Sequence, residues 1–402
     1  MDAPVEQEAV LPLAGFTVAT TAERRRDELI SLLQRRGARV VSAPTLRLIP
    51  LADDDELFAA TRMCIEQPLD LVLITTGIGL RSWLEAADGW GVGDGLRRRL
   101  AATEILARGP KARGAIRAAG LVETWSPASE AVAEMVDHVL AQDVDGKRVA
   151  VQLHGEPLPE LVAALRTAGA TVVEVPVYRW LPAADLAPVR RLVDQIIHVA
   201  VDGVVFTSGP AVTSLLDRAA EMGRRDELLA ALQTDVVAFC IGPVTGARLE
   251  RHDVPTLQPE RSRLGALVRE VVTGLPELKS RTLPIAGARV ELRGHAVVVE
   301  RDGRPVLVPL APAPMAVLRA LAERPGRVLS RAELLGALPT SESKPTCESK
   351  PISESNRRPD EHAVEVAIAR LRAALKPLDA VQTVVKRGYR LVHEPEPAPV
   401  PA

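Results

Sequence analysis

The chain has 402 residues, 47% of them hydrophobic and 25% charged, with a formal net charge of −2. That length predicts two or three domains of ordinary globular composition. No apolar run approaches the roughly 20 residues that span a bilayer, residues 1–10 lack the pattern of a secretory signal, and three scattered cysteines (Cys64, Cys240, Cys347) argue against a disulfide framework, so a soluble cytoplasmic protein is expected.

The charge is unevenly spread. Residues 282–393 hold 18 lysines and arginines against 12 aspartates and glutamates, about +6, which leaves about −8 for the remainder. An acidic body with a basic C-terminal piece fits a protein with one nucleic-acid-contacting module.

From the N-terminus, an apolar run at residues 16–19 reads as a strand. Leu29, Leu32 and Leu33 then share one helical face, and Val40-Val41 begins another strand. The pattern recurs about 132 residues later. Gly37 to Pro50 (GARVVSAPTLRLIP) answers to Gly169 to Pro182 (GATVVEVPVYRWLP), and Asp70 to Gly77 answers to Asp202 to Gly209. Gly109-Pro110 answers to Gly242-Pro243, and Gly15 to Gly146. Strands alternating with helices at this spacing predict two duplicated α/β lobes with parallel sheets, facing across a ligand cleft. Four loops then become candidates: Thr75-Thr76-Gly77, Arg108-Gly109-Pro110 with Lys111, Thr207-Ser208-Gly209, and Gly242-Pro243. Each follows a strand and opens a helix, where free N–H groups and small hydroxyls suit carboxylates or phosphates. The same residues also serve as plain helix caps.

Residues 172–179, 202–216 and 236–247 resemble uroporphyrinogen-III synthase, the tetrapyrrole-pathway enzyme that closes hydroxymethylbilane with inversion of ring D. The resemblance covers residues 11–275. It implies two lobes, 11–45 with 177–275 and 46–176, joined by a two-stranded ladder of residues 40–51 and 172–182. It also implies that Tyr178 assists departure of the substrate hydroxyl, and that the four loops hold substrate carboxylates. Thr20-Thr21-Ala22 stands where that family usually has Thr-Arg-Pro, and Trp180 where a threonine often follows the tyrosine. Arg24, Arg108, Lys111 and Arg113 are the cations that can take the place of the missing arginine. The seven histidines show no ligand spacing, so no metal site and no cofactor are expected. Thr20 and Thr21 occupy the place where a phosphorylated receiver domain carries acidic residues.

After a linker at 276–281, residues 282–393 read as strands at 290–292, 296–299 and 306–308, the last two separated by an Asp302-Gly303 turn. A helix follows at 313–323. Ser330 and Glu333 then form a capping box for a helix at 331–338. A third helix spans 361–375 with Val364, Ile368, Leu371 and Leu375 on its apolar stripe, and a closing hairpin turns near 386–388. Strands, three helices and a terminal hairpin predict a winged helix-turn-helix. Residues 325–335, 369–372 and 387–391 resemble the OmpR/PhoB-type effector domain. That resemblance implies double-stranded DNA as partner, with the third helix in the major groove and the wing at the minor groove. The residues expected at DNA are His362, Glu365, Arg370, Arg372, Thr383, Lys386 and Arg387. Residues 340–360, where Glu-Ser-Lys-Pro occurs twice, and the proline-rich tail 394–402 are expected to be disordered.

A synthase-like body fused to such a domain resembles actinobacterial regulators of nitrate and nitrite assimilation. The leading expectation is a DNA-binding regulator whose body senses a small anion or tetrapyrrole. The alternatives are an active synthase with a DNA-binding appendage, and a co-regulator whose body docks another transcription factor, with RNA polymerase a further possible partner.

Overall fold

The computed structural model describes residues 10–51, 55–127, 132–155, 158–301, 303–338 and 361–393. The expected disordered insert at 340–360 and the tail at 394–402 lie outside these. The chain divides into two compact units, Leu46–Ala184 and the combination of Met1–Thr45 with Asp185–Ala402.

The unit Leu46–Ala184 holds one five-stranded sheet. Its order is Leu46–Pro50, Thr171–Pro182, Arg148–Gly155, Leu71–Ile74, Glu104–Ala107. The first pair is antiparallel and the others are parallel. The apolar strand Leu71–Ile74 is buried on both faces, which is why its sequence shows no polar alternation. Val72 and Ile74 join a core around Trp83 and Leu57, whereas Leu71 and Leu73 join a second core around Met135 and Leu165. The expected two-stranded ladder exists in its later half only, with Leu46 opposite Pro182 and Pro50 opposite Tyr178. The earlier strand Arg39–Ser42 pairs instead with Thr17–Thr20 in the other unit. Because the long strand stays paired through Pro182, residues 177–184 belong here and not with residues 11–45 as expected.

The second unit contains a fully parallel sheet, ordered Thr256–Leu257, Val237–Cys240, Gly203–Phe206, Thr17–Thr20, Arg39–Ser42. Val204 and Phe206 face one core, and Val205 faces another with Val18 and Phe239. Shifted by about 132 residues, four of these strands match four of the other sheet in order, and Leu46–Pro50 there has no counterpart here. There an isolated bridge between Leu106 and Trp125 occupies the place of Thr256–Leu257.

The expected linker at 276–281 is taken up by the end of the helix Leu264–Lys279 and the start of the strand Arg281–Ile285. That strand opens an antiparallel sheet continued by Ala288–Arg293, Ala296–Arg301 and Arg304–Pro309. Helices Pro312–Glu323, Arg331–Ala337 and Glu361–Leu375 follow, then the hairpin Val381–Val384 with Gly388–Leu391. The Ser330–Glu333 capping box forms as expected, each side chain bonding the other residue's backbone N–H. Leu329 exchanges two backbone hydrogen bonds with Tyr389, at 2.8 and 2.9 Å, which ties the hairpin to the foot of the second helix. Val364, Ile368, Leu371 and Leu375 pack with Leu318 and Leu334 in one core. This is the topology of a winged helix.

Candidate functional site

In the Leu46–Ala184 unit, Thr75-Thr76-Gly77 lies between the strand Leu71–Ile74 and the helix Gly77–Gly89. Its main chain is already engaged. Gln152, fully buried, accepts from the Thr75 N–H (2.8 Å) and the Thr76 N–H (3.0 Å) through Oε1, and its Nε2 donates to the Thr76 carbonyl (3.2 Å). The Thr75 hydroxyl donates to the Gln152 carbonyl (2.8 Å), and the Thr76 hydroxyl caps the helix by accepting from Gly79 N–H (3.2 Å). Gly77 and Gly79 are required by contact. A Cβ would lie 2.1 Å from the Lys111 carbonyl at the first, and 2.0 Å from Gln152 Nε2 at the second. Gln152 went unremarked in the sequence, although a polar residue inside the apolar run 149–153 was the available signal.

Tyr178 belongs to the core of this unit, 4% exposed, with its ring edge-to-face with Trp180 at 6.0 Å. Its hydroxyl comes within 3.4 Å of the Thr76 hydroxyl. The structure therefore brings two of the sequence-predicted residues, Tyr178 and Thr76, to one place at the end of the sheet. Gly109 and Pro110 open the next helix, Pro110–Ala118, with Gly109 buried, Arg108 half-buried and Lys111 exposed. Arg113 is not a free cation. It pairs with Glu123 at 3.0 Å while Arg117 pairs with the same carboxylate at 2.6 Å. Those two guanidiniums, Arg117 foremost, hold the Glu123 carboxyl down to about 2.

In the other unit, Thr207 and Ser208 are half-buried, and Ser208 makes no capping bond at the helix Gly209–Glu221. Gly209 lies under Arg248, whose Nε would be 2.6 Å from a Cβ there, and Arg248 donates to Thr213 Oγ1 at 2.5 Å. Gly242 precedes the helix Pro243–Glu250 in extended backbone, with Ser262 packed against it. Where the first unit has Arg108 and Lys111, this one has half-buried Ile241 and exposed Val244. Arg24 is exposed. Burial pushes the thiols of Cys64 and Cys240 up to about 12, so neither serves as a nucleophile. Among the described residues no cluster of His, Cys, Asp or Glu fits a metal ion, and no helix is long and apolar enough to cross a membrane.

On the C-terminal helix Glu361–Leu375, His362, Glu365, Ala369 and Arg370 are exposed while Ala367 is 2% exposed and part of the core. Glu365 pairs with Arg331 at 3.1 Å and lies 3.9 Å from His362. Arg372 is turned to the hairpin. Its Nε and Nη2 donate to the Val381 carbonyl (3.0 and 2.8 Å), and Nη2 also donates to Thr383 Oγ1 (2.8 Å). Two guanidiniums approach the Tyr389 ring, Arg331 at 5.8 Å and Arg372 at 5.9 Å from its centroid. Lys386 and Arg387 are exposed at the hairpin turn beside Val385, which is 79% exposed. Tyr389 and Arg331 were missed from the sequence because their role depends on contacts between elements far apart in the chain.

An α/β body with two parallel-type sheets, followed by a winged-helix module, is thus the class of protein defined by this geometry. The family model described as uroporphyrinogen-III synthase HemD matches residues 27–269, and the chain belongs to that family. It is 29% identical over 260 residues to the uncharacterized protein YjjA of Bacillus subtilis, which covers 64% of this chain and 96% of that protein. A mutant uroporphyrinogen III synthase from the extremely thermophilic bacterium Thermus thermophilus is similar in structure, with a TM-score of 0.55 and 27% identity. That likeness spans 65% of this chain and 99% of the other. The DNA-binding domain of the response regulator AdeR aligns weakly, at 19% identity and a TM-score of 0.20, over 26% of this chain and 94% of that one.

Proposed function

We propose that the protein is a DNA-binding transcriptional regulator with a synthase-like body as its sensing part. The observation that carries this reading is the surface of the C-terminal module. There Arg370 on the third helix and Lys386 and Arg387 on the wing are exposed cations, while Arg372 ties the wing's root to that helix. In this reading Arg370 meets a base edge in the major groove, and Lys386 and Arg387 meet phosphates at the minor groove. His362 and Glu365 lie at the entry of the same helix, and Thr383 and Arg372 set the wing's angle. The experiment is a gel shift on DNA from upstream of the protein's own gene. Binding that weakens about tenfold in Arg370→Ala, as expected for loss of a base contact worth ~1–3 kcal/mol, supports the reading. Absence of binding overturns it.

The sensing part is the synthase-like body, where Arg108, Lys111 and the Thr207 and Ser208 hydroxyls are the groups that suit carboxylates, so the effector in this reading is a small anion or a tetrapyrrole. Nitrate and nitrite assimilation is the regulon consistent with it, because nitrite reduction depends on a tetrapyrrole prosthetic group. A shift in melting temperature on adding uroporphyrinogen III, or its absence, tests that step.

A second reading, an active synthase, is favoured by one observation, the Tyr178 hydroxyl directed at the Thr76 loop. Rescue of a strain lacking the synthase, abolished in Tyr178→Phe, would establish it. Failure to rescue with soluble protein would exclude it.

A further inference from the structure

The two sheets contain the same aspartate in the same three hydrogen bonds. Asp70 donates its N–H to the Arg148 carbonyl (3.0 Å), accepts the Arg148 N–H on Oδ2 (2.8 Å), and accepts the Glu104 N–H on its carbonyl (3.2 Å). Asp202 repeats this with Thr17 (2.8 and 2.7 Å) and with Val237 (3.1 Å). Asp70 is exposed and Asp202 is 5% exposed. What differs is the cover. The turn Gly294-His295 of the C-terminal module lies directly on Asp202, so closely that a Cβ on Gly294 would be 2.3 Å from Asp202 Oδ2 and 2.7 Å from the Gly15 carbonyl.

The turn is built to sit there. The His295 N–H donates to the Gly15 carbonyl at 2.7 Å. Arg293 donates to the carbonyls of Leu11 (3.1 Å) and Ala14 (3.3 Å), and Arg319 donates to the Gly294 carbonyl at 2.7 Å, fixing the turn from within its own module. The covered carboxylate has a cost. Burial pushes the Asp202 carboxyl above its ordinary value, against the Thr17 N–H bond and the charges of His295, Arg319 and Lys279. The hydrogen bonds that seat the turn run to backbone carbonyls of residues 11–15, so the seat can open without breaking a strand ladder.

Asp202 precedes the strand Gly203–Phe206, which leads into Thr207-Ser208-Gly209, and Thr17 begins the strand that ends at Thr20. We propose that the Gly294-His295 turn, seated over Asp202, is a releasable latch that couples these two strands and the loops at their far ends to the C-terminal module. The latch rests on the geometry alone, and its regulatory consequence rests on the regulator reading above. A ligand that binds the loops better in one latch state would shift the C-terminal module's DNA affinity by the same factor by which DNA shifts the ligand's.

The test is native-state hydrogen exchange on the full chain, with Gly294→Ala as a wedge, Asp202→Ala as removal of the covered group, their double, and Asp70→Ala as control. The latch predicts that Gly294→Ala speeds exchange at least tenfold both in Ala288–Arg293 and in Thr17–Thr20. The double variant should be closer to wild type than the two single effects combined, because deleting the carboxylate removes one of the two close contacts. Asp70→Ala should disturb only the strands around Arg148. If Gly294→Ala unfolds the chain, Arg293→Ala, which removes the bonds to the Leu11 and Ala14 carbonyls, must speed exchange in both segments. Unchanged exchange in the C-terminal module, or effects confined to one side of the contact, overturns the latch. No DNA is needed for this readout. Uncoupled exchange with DNA binding intact defeats the latch alone, and coupled exchange with no DNA binding defeats the regulator reading alone.

Discussion

In both five-stranded sheets a threonine-bearing loop follows the corresponding strand, yet the residue behind that loop differs. In the Leu46–Ala184 unit Gln152 holds the backbone N–H groups of Thr75 and Thr76. In the other unit its counterpart is Thr21, whose hydroxyl donates to the Val205 carbonyl at 3.3 Å and leaves the Thr207-Ser208 loop uncapped. The next loop diverges as well, cationic with Arg108 and Lys111 in one unit and apolar with Ile241 and Val244 in the other. The two sheets thus share the order of four strands while their loop ends are unequal. In the first unit Gln152 holds the loop's N–H groups beside a cationic neighbour loop, and in the second Ser208 makes no capping bond beside an apolar one.

Core truncation gives the largest effect by which this comparison can be tested. Trp83 is fully buried and donates its indole N–H to Thr61 Oγ1 at 2.9 Å. Trp83→Ala should cost about 3–5 kcal/mol in urea unfolding. Gln152→Leu comes next, since it strands the buried Thr75 N–H and the half-buried Thr76 N–H and should cost about 2–3 kcal/mol, whereas Thr21→Val removes one bond at 3.3 Å and should cost under about 1 kcal/mol. Equal costs for the two would erase the proposed asymmetry. The smallest effect concerns acid. With the Glu123 carboxyl held down to about 2, below its ordinary 4.5, its ion pairs contribute stability that is complete above about 4.5 and lost as pH falls toward 2. Unfolding midpoints of Glu123→Gln should fall below wild type at neutral pH, and the gap should close on acidification. A gap independent of pH would show that the pair does not titrate with folding.

Much of this architecture is legible in the residues. Short β-branched runs announce parallel strands, and Ser330 with Glu333 marks a helix start. The strand Arg281–Ile285 escaped because Pro284 argues against a strand, and it is tolerated at a sheet edge. The expectation of Arg372 at DNA rests on the resemblance and on its place off the helix's apolar stripe, which say nothing of the Val381 carbonyl and Thr383 hydroxyl on the following hairpin. Asp202 looked like any strand-leading aspartate, and only the folded module above it distinguishes it from Asp70. Contacts between remote elements carry no local periodicity, so residue spacing cannot reveal them.

The central claim is that the C-terminal module binds duplex DNA through Arg370, Lys386 and Arg387 while Arg372 only positions the wing. It is tested most directly by measuring affinity for promoter DNA across a salt series. Log affinity should fall linearly with log salt. Lys386→Ala and Arg387→Ala should each flatten that slope by about 0.9, the signature of a lost phosphate contact. Arg372→Ala should weaken binding with the slope unchanged. A slope near zero in the wild type, or one flattened by Arg372→Ala and untouched by both wing substitutions, would contradict the account.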